Sequence, residues 1–390
     1  MARIVSDISA HKYSDVEIAC FLSACAGGRL GFDEIVALTQ AMVNCGQQLD
    51  WPGVDRVFDK HCVGGLPGNR TTPLVVSIVS AAGLVMPKTS SRAITSPAGT
   101  ADTMEALTNV RLGLNEIRRV VRETGACLAW GGAMNLSPAD DLLIRIERAL
   151  DLDGEGQLVA SVLSKKIAAG STHAVIDIPV GETAKVRTPG DADRLASLFT
   201  SVGAACGLKV RCIATDGSKP VGAGIGPTEE ARDVLAVLQG KRGAPEDLRS
   251  RAIMLAGHLF DLADGRGVKE GMVKAERLLQ NGSAWGQFKR ITEAQGGQRS
   301  LGEARFRRPV LCSESGTIVS IDNRRLARVA KLAGAPASST AGLRLLATVG
   351  DRVTKGEPLY ELLSDSPGQQ DYALAFNDMG PAIFTVKREE

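Results

Sequence analysis

The chain has 390 residues, 44% of them hydrophobic and 23% charged, and this composition excludes an intrinsically disordered protein. Its 46 basic residues nearly balance 44 acidic ones, so the net charge of +2 gives no general attraction to nucleic acid or to a membrane surface. The eight cysteines form no C-x-x-C pair and do not combine with the four histidines at zinc spacing, so we expect no metal. The N-terminus lacks an apolar signal region, and we expect a cytoplasmic protein of two or three domains.

Helical spacing dominates the first fifty residues. Ser14 and Glu17 form a capping box ahead of one amphipathic segment, and Gly31 to Glu34 precede a second. Two further helical segments, Asp140 to Arg148 and Gln157 to Ala169, lie much later in the chain. We therefore predict an all-helical lobe built from two separated segments, residues 1–50 and 139–169.

The remaining chain indicates an α/β fold class. Short apolar runs such as His173 to Ile178 alternate with helical segments in residues 51–138 and 170–300, which predicts an α/β phosphate-binding lobe with a central mixed sheet. Residues 301–390 change to short strands and turns, and the Gly350 to Tyr360 segment is typical of a barrel-sandwich hairpin. We expect a C-terminal α+β, barrel-sandwich-like domain, and a cleft between the two larger lobes.

Two loops rich in glycine and hydroxyl residues precede helices within less than fifty residues. The first loop, residues 59–72, leads to a helix that Thr72 is expected to cap, with Pro73 in its first turn. The second loop, residues 89–100, leads to a helix that we expect to open at Asp102 to Glu105. Helix N-termini carry free N–H groups and a positive dipole end, so this pair of loops predicts a phosphate site.

Fixed positive charge accompanies these loops, at Lys60, Arg70 and Arg92. No Gly-Lys-Ser/Thr follows the glycines, and no G-x-G-x-x-G opens a helix here. The pattern therefore argues against a phosphate-loop kinase and against a Rossmann dehydrogenase.

The strings Lys60 to Gly65 and Ser91 to Glu105 resemble the thymidine and pyrimidine nucleoside phosphorylase family, and the resemblance covers nearly the whole chain. Three more strings, Pro67 to Asn69, Asp151 to Gln157 and Ile178 to Lys185, are similar to the branch that contains AMP phosphorylases. The resemblance implies the same three-part fold. It also implies phosphorolysis, in which inorganic phosphate displaces the base from the anomeric carbon.

The resemblance implies that phosphate contacts Lys60, Ser90, Thr100 and either Thr72 or Thr71. This chain carries Cys62 where many family members carry serine, which changes one contact to phosphate. Inorganic phosphate is then a co-substrate, and no cofactor is expected.

Further roles follow from the same resemblance. Asp153 corresponds to the general acid of the AMP branch, and His61 and Lys60 complete the predicted catalytic set. Arg148, for which Arg145 is a rival, corresponds with Ser161 and Lys165 to residues that grip the base in the pyrimidine enzymes. The expected substrate contacts in full are Gly65, Ser91, Arg92, Ala93, Ile94, Thr95, Ser96, Thr100, Arg148, Ser161, Lys165 and Lys185.

Lys185 and the Pro179 form of its motif favour nucleoside 5′-monophosphates as substrates, which gives free base and ribose 1,5-bisphosphate. The alternatives are a thymidine or pyrimidine nucleoside phosphorylase and, from another class, a catalytically silent nucleotide-binding protein. Anthranilate phosphoribosyltransferase is a more distant relative in fold, although it would use magnesium and a diphosphate donor. The AMP branch normally carries an extra N-terminal domain, and this chain begins at the helical lobe, so that domain is either naturally absent or has been removed. Without it, we expect a homodimer.

Overall fold

The computed structural model describes residues 1–93, 96–134, 136–150, 152 and 154–388, and for Arg148 it describes the backbone only. The helices of the described residues are α1 (Ala2–Ser9), α2 (Asp15–Cys25), α3 (Phe32–Asn44), α4 (Thr71–Ala81), α5 (Thr100–Glu105), α6 (Leu114–Thr124), α7 (Pro138–Leu150), α8 (Glu155–Ala168), α9 (Pro189–Ala205), α10 (Pro227–Leu238), α11 (Glu246–Asp264), α12 (Val268–Gln280), α13 (Ser283–Ala294), α14 (Asn323–Leu332) and α15 (Pro367–Asp378). The strands are β1 (Phe58–Cys62), β2 (Met86–Ser90), β3 (Ala126–Trp130), β4 (His173–Val180), β5 (Lys209–Asp216), β6 (Gly224–Ile225), β7 (Phe306–Leu311), β8 (Gly316–Ile321), β9 (Gly342–Leu345), β10 (Arg352–Val353), β11 (Pro358–Ser364) and β12 (Phe384–Lys387).

Helices α1, α2, α3, α7 and α8 form the helical part of the molecule. The predicted capping box opens α2, since the Glu17 amide donates to Ser14 Oγ (3.3 Å) and the Ser14 amide donates to Glu17 Oε2 (2.9 Å). Leu22, Leu38 and Leu143 are fully buried in a core that these helices share. Helix α8 also packs apolar side chains against β4 and α9, so one helix joins the helical core to the sheet.

The central sheet is parallel, which corrects the expected mixed sheet. Strands β1, β4 and β5 pair in parallel, as do β2 and β3, and a parallel bridge between Val57 and Val85 joins the two sets. The strand order is therefore β3-β2-β1-β4-β5. The connections within this layer run through helices, such as α4 between β1 and β2 and α9 between β4 and β5, and a helical crossover returns the chain in the same direction.

The two helices behind the glycine-rich loops begin earlier than the sequence predicted. Helix α4 starts at Thr71, and Arg70 occupies the N-cap without a side-chain cap, so Thr72 is a helical residue and not the cap. Helix α5 starts at Thr100, and Asp102 accepts from the Gly99 amide at 2.9 Å, so Asp102 closes the first turn from inside the helix. Long-range contacts fix both loops, since the Arg70 side chain reaches Thr100, Ala98 and Glu230, and the Asn69 amide donates to Val221 O at 2.9 Å.

The C-terminal part contains two antiparallel sheets, ordered β10-β8-β12 and β6-β9-β11-β7, with α14 packed on α15. The short strand β6 comes from the α/β part of the chain and pairs with β9. Arg344 reinforces this junction, since its guanidinium lies 3.2 Å from Glu229 and 3.4 Å from Asp233 on α10. The backbone pairing of β6 with β9 and these two ion pairs therefore attach the C-terminal domain to the α/β layer.

Among the described helices, none combines the length and apolar character that crossing a bilayer requires.

Candidate active site

Strand β1 carries the predicted catalytic pair Lys60 and His61 at its C-terminal end. Because side chains alternate along a strand, Lys60 and Cys62 point to one face of the sheet, and Asp59 and His61 point to the other. Helix α4 covers the first face, and α8 approaches the second. The carboxyl edge of a parallel sheet is where α/β proteins commonly bind ligands, so two chemically different surfaces meet at one binding edge.

Lys60 is 1% exposed, and its Nζ donates to Thr71 Oγ1 at 2.7 Å. Burial lowers the pKa of Lys60, although the nearby Cys62 and Asp177 oppose the shift. Of the two threonines left open by the sequence, Thr71 is thus the one that contacts Lys60, while Thr72 lies buried one residue further into α4. The first amides of α4 and the Lys60 ammonium group lie together, an arrangement that suits an anion.

Cys62 lies against Asp177 and Asn69. The Asn69 amide group donates to Cys62 Sγ at 3.3 Å and to Asp177 Oδ2 at 3.4 Å. Asn69 has a φ of +52° and follows Gly68, where an added Cβ would overlap Val221 O, so the turn returns the Asn69 side chain to β1. Burial and the Asp177 carboxylate raise the pKa of Cys62 to about 12, so this position presents a neutral thiol.

The second loop is held by the Asp102 carboxylate. Asp102 Oδ2 accepts from the Ala93 amide at 2.7 Å, and Asp102 Oδ1 lies 2.9 Å from Arg92. Arg92 also pairs with Glu105 at 2.6 Å and lies 4.7 Å from the centre of the Trp130 ring. The charge of Arg92 is therefore engaged within the loop.

Three serines at the second loop, Ser90, Ser91 and Ser96, were also predicted as contacts. Ser90 Oγ is buried and has no hydrogen-bond partner among the described residues. A buried hydroxyl without a partner is costly, and a bound oxygen acceptor would relieve that cost. Ser91 accepts from the Ala101 amide through its carbonyl at 3.3 Å, and Ser96 Oγ donates to Ala98 O at 2.8 Å.

Arg70 joins the two loops. Its guanidinium donates to Thr100 Oγ1 (2.9 Å) and to Ala98 O (2.8 Å), and its Nε lies 2.7 Å from Glu230 Oε2. The Glu230 side chain is 1% exposed, and burial raises its pKa against the opposing effect of Arg70. Arg70 thus has a buried counter-ion and orients Thr100, a role that differs from the free anion-binding charge expected from the sequence.

Asp59 forms a buried ion cluster on the other face of β1. Its carboxylate lies 2.8 Å from Lys88 Nζ and 2.9 Å from Lys166 Nζ. Burial alone would raise the pKa of Asp59, but the two lysines outweigh it and the pKa is lowered. Burial, together with neighbouring Lys88, lowers the pKa of Lys166 to about 7 against the opposing attraction of Asp59.

His61 lies in the field of this cluster. Burial, reinforced by the positive charge of four lysines, holds the pKa of His61 well below its usual range. These lysines are Lys60, Lys88, Lys165 and Lys166. His61 is therefore neutral at pH 7 and can donate one hydrogen bond and accept another.

Helix α8 carries Ser161 and Lys165 four residues apart, and so on one face. Lys165 Nζ lies 2.5 Å from Asp140 on α7; burial lowers the pKa of Lys165, but Asp140 outweighs it and the net shift is upward. Lys165 is therefore a cation. Arg145, the rival of Arg148, pairs with Asp15 at 2.7 Å on an exposed surface, so its charge is engaged there.

Lys185 and Gly65 touch through the backbone. Gly65 has a φ of +83°, and a Cβ there would overlap the Lys185 amide nitrogen, so only glycine permits this approach. Lys185 also borders a cavity of about 440 Å³ between α8 and α9, with Gly28, Glu155 and Arg187 among its lining. Its lining does not include Lys60, His61 or Ser90.

The predicted general acid Asp153 and the predicted substrate contacts Ile94 and Thr95 lie outside the described residues, as does the side chain of Arg148. Sequence reasoning missed four buried charged residues of the site, namely Asp59, Lys88, Lys166 and Asp177. Asp59, Lys88 and Asp177 lie in strands β1, β2 and β4, which the sequence indicates only as structural strands of the buried sheet. The adjacency of Asp59 to Lys60, and of Lys166 to Lys165, was the available signal.

Comparisons with known proteins agree with this architecture. Residues 54–285 match the family described as "Glycosyl transferase family, a/b domain", and residues 317–378 match the "Pyrimidine nucleoside phosphorylase C-terminal domain". A relative from Cupriavidus necator, named "Putative thymidine phosphorylase 1", is 58% identical over 96% of this chain and 72% of its own length. One from Ralstonia nicotianae, named "Putative thymidine phosphorylase", is 56% identical over 98% of this chain and 75% of its own.

The anthranilate phosphoribosyltransferase of Thermus thermophilus shares the fold, with a TM-score of 0.60 and 20% identity over 75% of this chain and 94% of that one. The protein is thus an enzyme that transfers glycosyl groups, a pentosyltransferase. The chain belongs to the thymidine and pyrimidine nucleoside phosphorylase family. This membership confirms the family resemblance and displaces the alternative of a catalytically silent nucleotide-binding protein.

Proposed function

We propose that this enzyme cleaves pyrimidine nucleosides with inorganic phosphate and that thymidine is a substrate. A phosphate oxygen attacks C1′ of the pentose, and the bond between C1′ and the base nitrogen breaks. The electron pair of that bond leaves with the base, which takes up a proton, and the products are a free pyrimidine and a pentose 1-phosphate. The printed names of the relatives support this substrate class over the nucleotides that we expected from the sequence.

The observation that carries the proposal is the placement of Lys165 and Ser161 on one face of α8, which packs near the face of β1 that carries His61. Asp140 keeps Lys165 charged, and burial among lysines keeps His61 neutral. A pyrimidine leaves with negative charge on its ring nitrogen and carbonyl oxygens. Lys165 can stabilise that charge, and a neutral imidazole can donate a hydrogen bond without repelling the positive charge that develops on the sugar. Ser161, on the same face of α8, supplies a hydroxyl for the base.

Phosphate binding is assigned to the first face of β1 and to the second loop. Lys60 and Thr71 are in contact, Ser90 has a buried hydroxyl without a partner among the described residues, and Arg70 fixes Thr100. Holding the nucleophile in place and offsetting its charge are large contributions to a reaction of this kind.

Asp153 keeps the role of proton donor in the proposal, and Arg148 keeps that of a contact to the base, both on the strength of the family resemblance. An aspartic acid can donate near neutral pH only when its surroundings raise its pKa. Ile94 and Thr95 remain proposed substrate contacts on the same ground.

Nucleoside 5′-monophosphates are the second candidate substrates. Lys185 and Arg187 both border the 440 Å³ cavity next to the first loop, and their charges suit a 5′-phosphate. Glu155 and Asp191 also line that cavity and partly offset these charges.

The deciding experiment measures phosphate-dependent base release by chromatography. Thymidine and uridine are compared with AMP, CMP, UMP and adenosine, each with and without phosphate. Release from thymidine or uridine supports the proposal, whereas release confined to the monophosphates contradicts it and favours the second candidate.

Two variants make the result specific. Lys165→Met should lower turnover of thymidine, and Lys185→Ala should raise the KM of a monophosphate while leaving that of thymidine unchanged. Lys209→Met is the matched control, because Lys209 is exposed at the opposite, N-terminal end of the parallel sheet.

The expected homodimer is checked separately by size-exclusion chromatography with light scattering, and a species well above two chains would contradict it.

A further inference from the structure

The C-terminal domain reaches the candidate site through the first residues of α14. Asn323 is fully buried; its Nδ2 donates to Gly217 O at 3.0 Å, and its backbone amide donates to Thr183 Oγ1 at 3.2 Å. These partners lie in the two loops that follow β4 and β5. One residue of the C-terminal domain therefore ties together both loops at the carboxyl edge of the sheet.

Arg324 adds two contacts to the same loop. Its Nε donates to Thr183 O at 3.3 Å, and its Nη2 donates to Ala184 O at 3.2 Å. These carbonyls belong to the two residues just before Lys185. The orientation of the Lys185 backbone is thus set from a different domain.

The start of α14 is itself fixed. The Asp322 carboxylate caps the helix by accepting from the Arg324 and Arg325 amides, both at 2.9 Å. Because the cap fixes the backbone of the first helical turn, the side chains of Asn323 and Arg324 project from a defined position.

The loop between Gly181 and Val186 is closed by its own hydrogen bonds and packed on both sides. The Gly181 amide donates to Val186 O at 3.1 Å, and Gly181 meets Gly217 so closely that a side chain on Gly181 would overlap it. On its other side, the backbone of Lys185 lies against Gly65 of the first glycine-rich loop. A continuous path of contacts thus runs from α14, through residues 181–186, to the loop that follows Lys60.

We propose that Asn323 and Arg324 are positioning residues that hold the 181–186 loop in place, so that the C-terminal domain sets the affinity of the site for the nucleoside. The inference rests on the proposed function, because the backbone of the 181–186 loop supports Gly65, a proposed substrate contact. Neither residue touches the reacting atoms. Their loss should weaken nucleoside binding and leave phosphate binding, on the Lys60 and Ser90 side, nearly unchanged.

The test uses the full chain with Arg324→Ala, Arg324→Lys and the control Arg328→Ala, which removes an exposed arginine one turn further along α14. In Arg324→Ala we expect faster hydrogen exchange in peptides covering residues 181–186. We also expect a rise of about three- to tenfold in the KM of the nucleoside, the scale of one lost hydrogen bond, with kcat and the phosphate KM within about twofold. Arg324→Lys should recover part of the effect, Arg328→Ala should behave as wild type, and Asn323→Ala should give a larger effect in the same direction.

Hydrogen exchange decides the inference independently of the substrate. Unchanged exchange at 181–186 in both Arg324→Ala and Asn323→Ala would overturn it, and so would faster exchange with an unchanged nucleoside KM. If the wild-type enzyme releases no base from any nucleoside, the proposed function fails instead. In that case the exchange data, with calorimetry of AMP binding to wild type and Arg324→Ala, still support or overturn the positioning role.

Discussion

Arg70 Nε and Glu230 Oε2 lie 2.7 Å apart behind the two glycine-rich loops, with Glu230 almost completely buried. The same guanidinium holds Thr100 and the Ala98 carbonyl, so a single side chain sets the distance between two helix N-termini. Its positive charge is balanced inside the protein. The net attraction for phosphate therefore depends on Lys60, on the helix N-termini and on free hydroxyls.

We predict that Arg70→Ala destabilises the protein by about 3–5 kcal/mol, because it leaves the Glu230 carboxylate buried without a counter-ion. Urea unfolding measures the change. The exposed pair Arg118 and Asp50 provides the control, and Arg118→Ala should cost less than about 1 kcal/mol. The double variant Arg70→Met with Glu230→Gln should recover much of the stability. Equal costs for Arg70→Ala and Arg118→Ala would show that the buried pair is not needed.

We predict that Lys60→Met raises the phosphate KM by roughly ten- to a hundredfold, the range expected for losing a hydrogen bond from a charged donor. Steady-state kinetics at fixed nucleoside concentration, with phosphate varied, provides the measurement. Lys209→Met serves as the control at the far end of the sheet. A phosphate dependence equal to that of the wild type would remove Lys60 from the phosphate site.

Replacing Asp153 by asparagine should preserve substrate binding and lower turnover at least about a hundredfold, because a positioned proton donor contributes on that order. Binding is measured by calorimetry and turnover by base release. Asp141→Asn is a useful comparison, since Asp141 is an acidic residue of α7 whose pKa burial raises. If Asp153→Asn turns over as fast as wild type, another group protonates the base.

The stability of the protein should fall as the pH is lowered below about 6.5, in part through His61. Burial and the surrounding lysines lower the pKa of folded His61. Between that lowered value and the usual value near 6.5, the unfolded chain binds a proton that the folded chain does not. The free energy of unfolding therefore rises with pH across this window, and the stabilising contribution of neutral His61 is fully present above it. Urea unfolding at about pH 5 and about pH 7.5 should show a smaller difference for His61→Gln than for the wild type. An equal difference would mean that folding does not lower the pKa of His61.

The local sequence predicted much of the fold because the signals for helix starts and loops lie within a few residues. The capping box at Ser14 and the helix after Gly31 are found where they were expected. Both glycine-rich loops are present but shorter than predicted, because β1 extends to Cys62, β2 extends to Ser90, and α4 and α5 begin at Thr71 and Thr100. The sheet was predicted to be mixed and is parallel, since strand direction depends on how the crossovers pack and not on composition. Thr72 was predicted to be a cap and is not, because contacts of Arg70 with distant residues move the helix start.

The sequence by itself determined the family and the α/β class of the fold, and it predicted the residues of a phosphate site, because these depend on contiguous strings and on backbone chemistry. Only the tertiary structure decided which charges face one another. Arg70 meets Glu230 at a separation of 160 residues, Asp59 on β1 meets Lys166 on α8, and Arg324 reaches Ala184 from another domain. No local pattern specifies such pairs. They form because burial removes water, and a buried charge or amide then requires the partner that the fold brings to it.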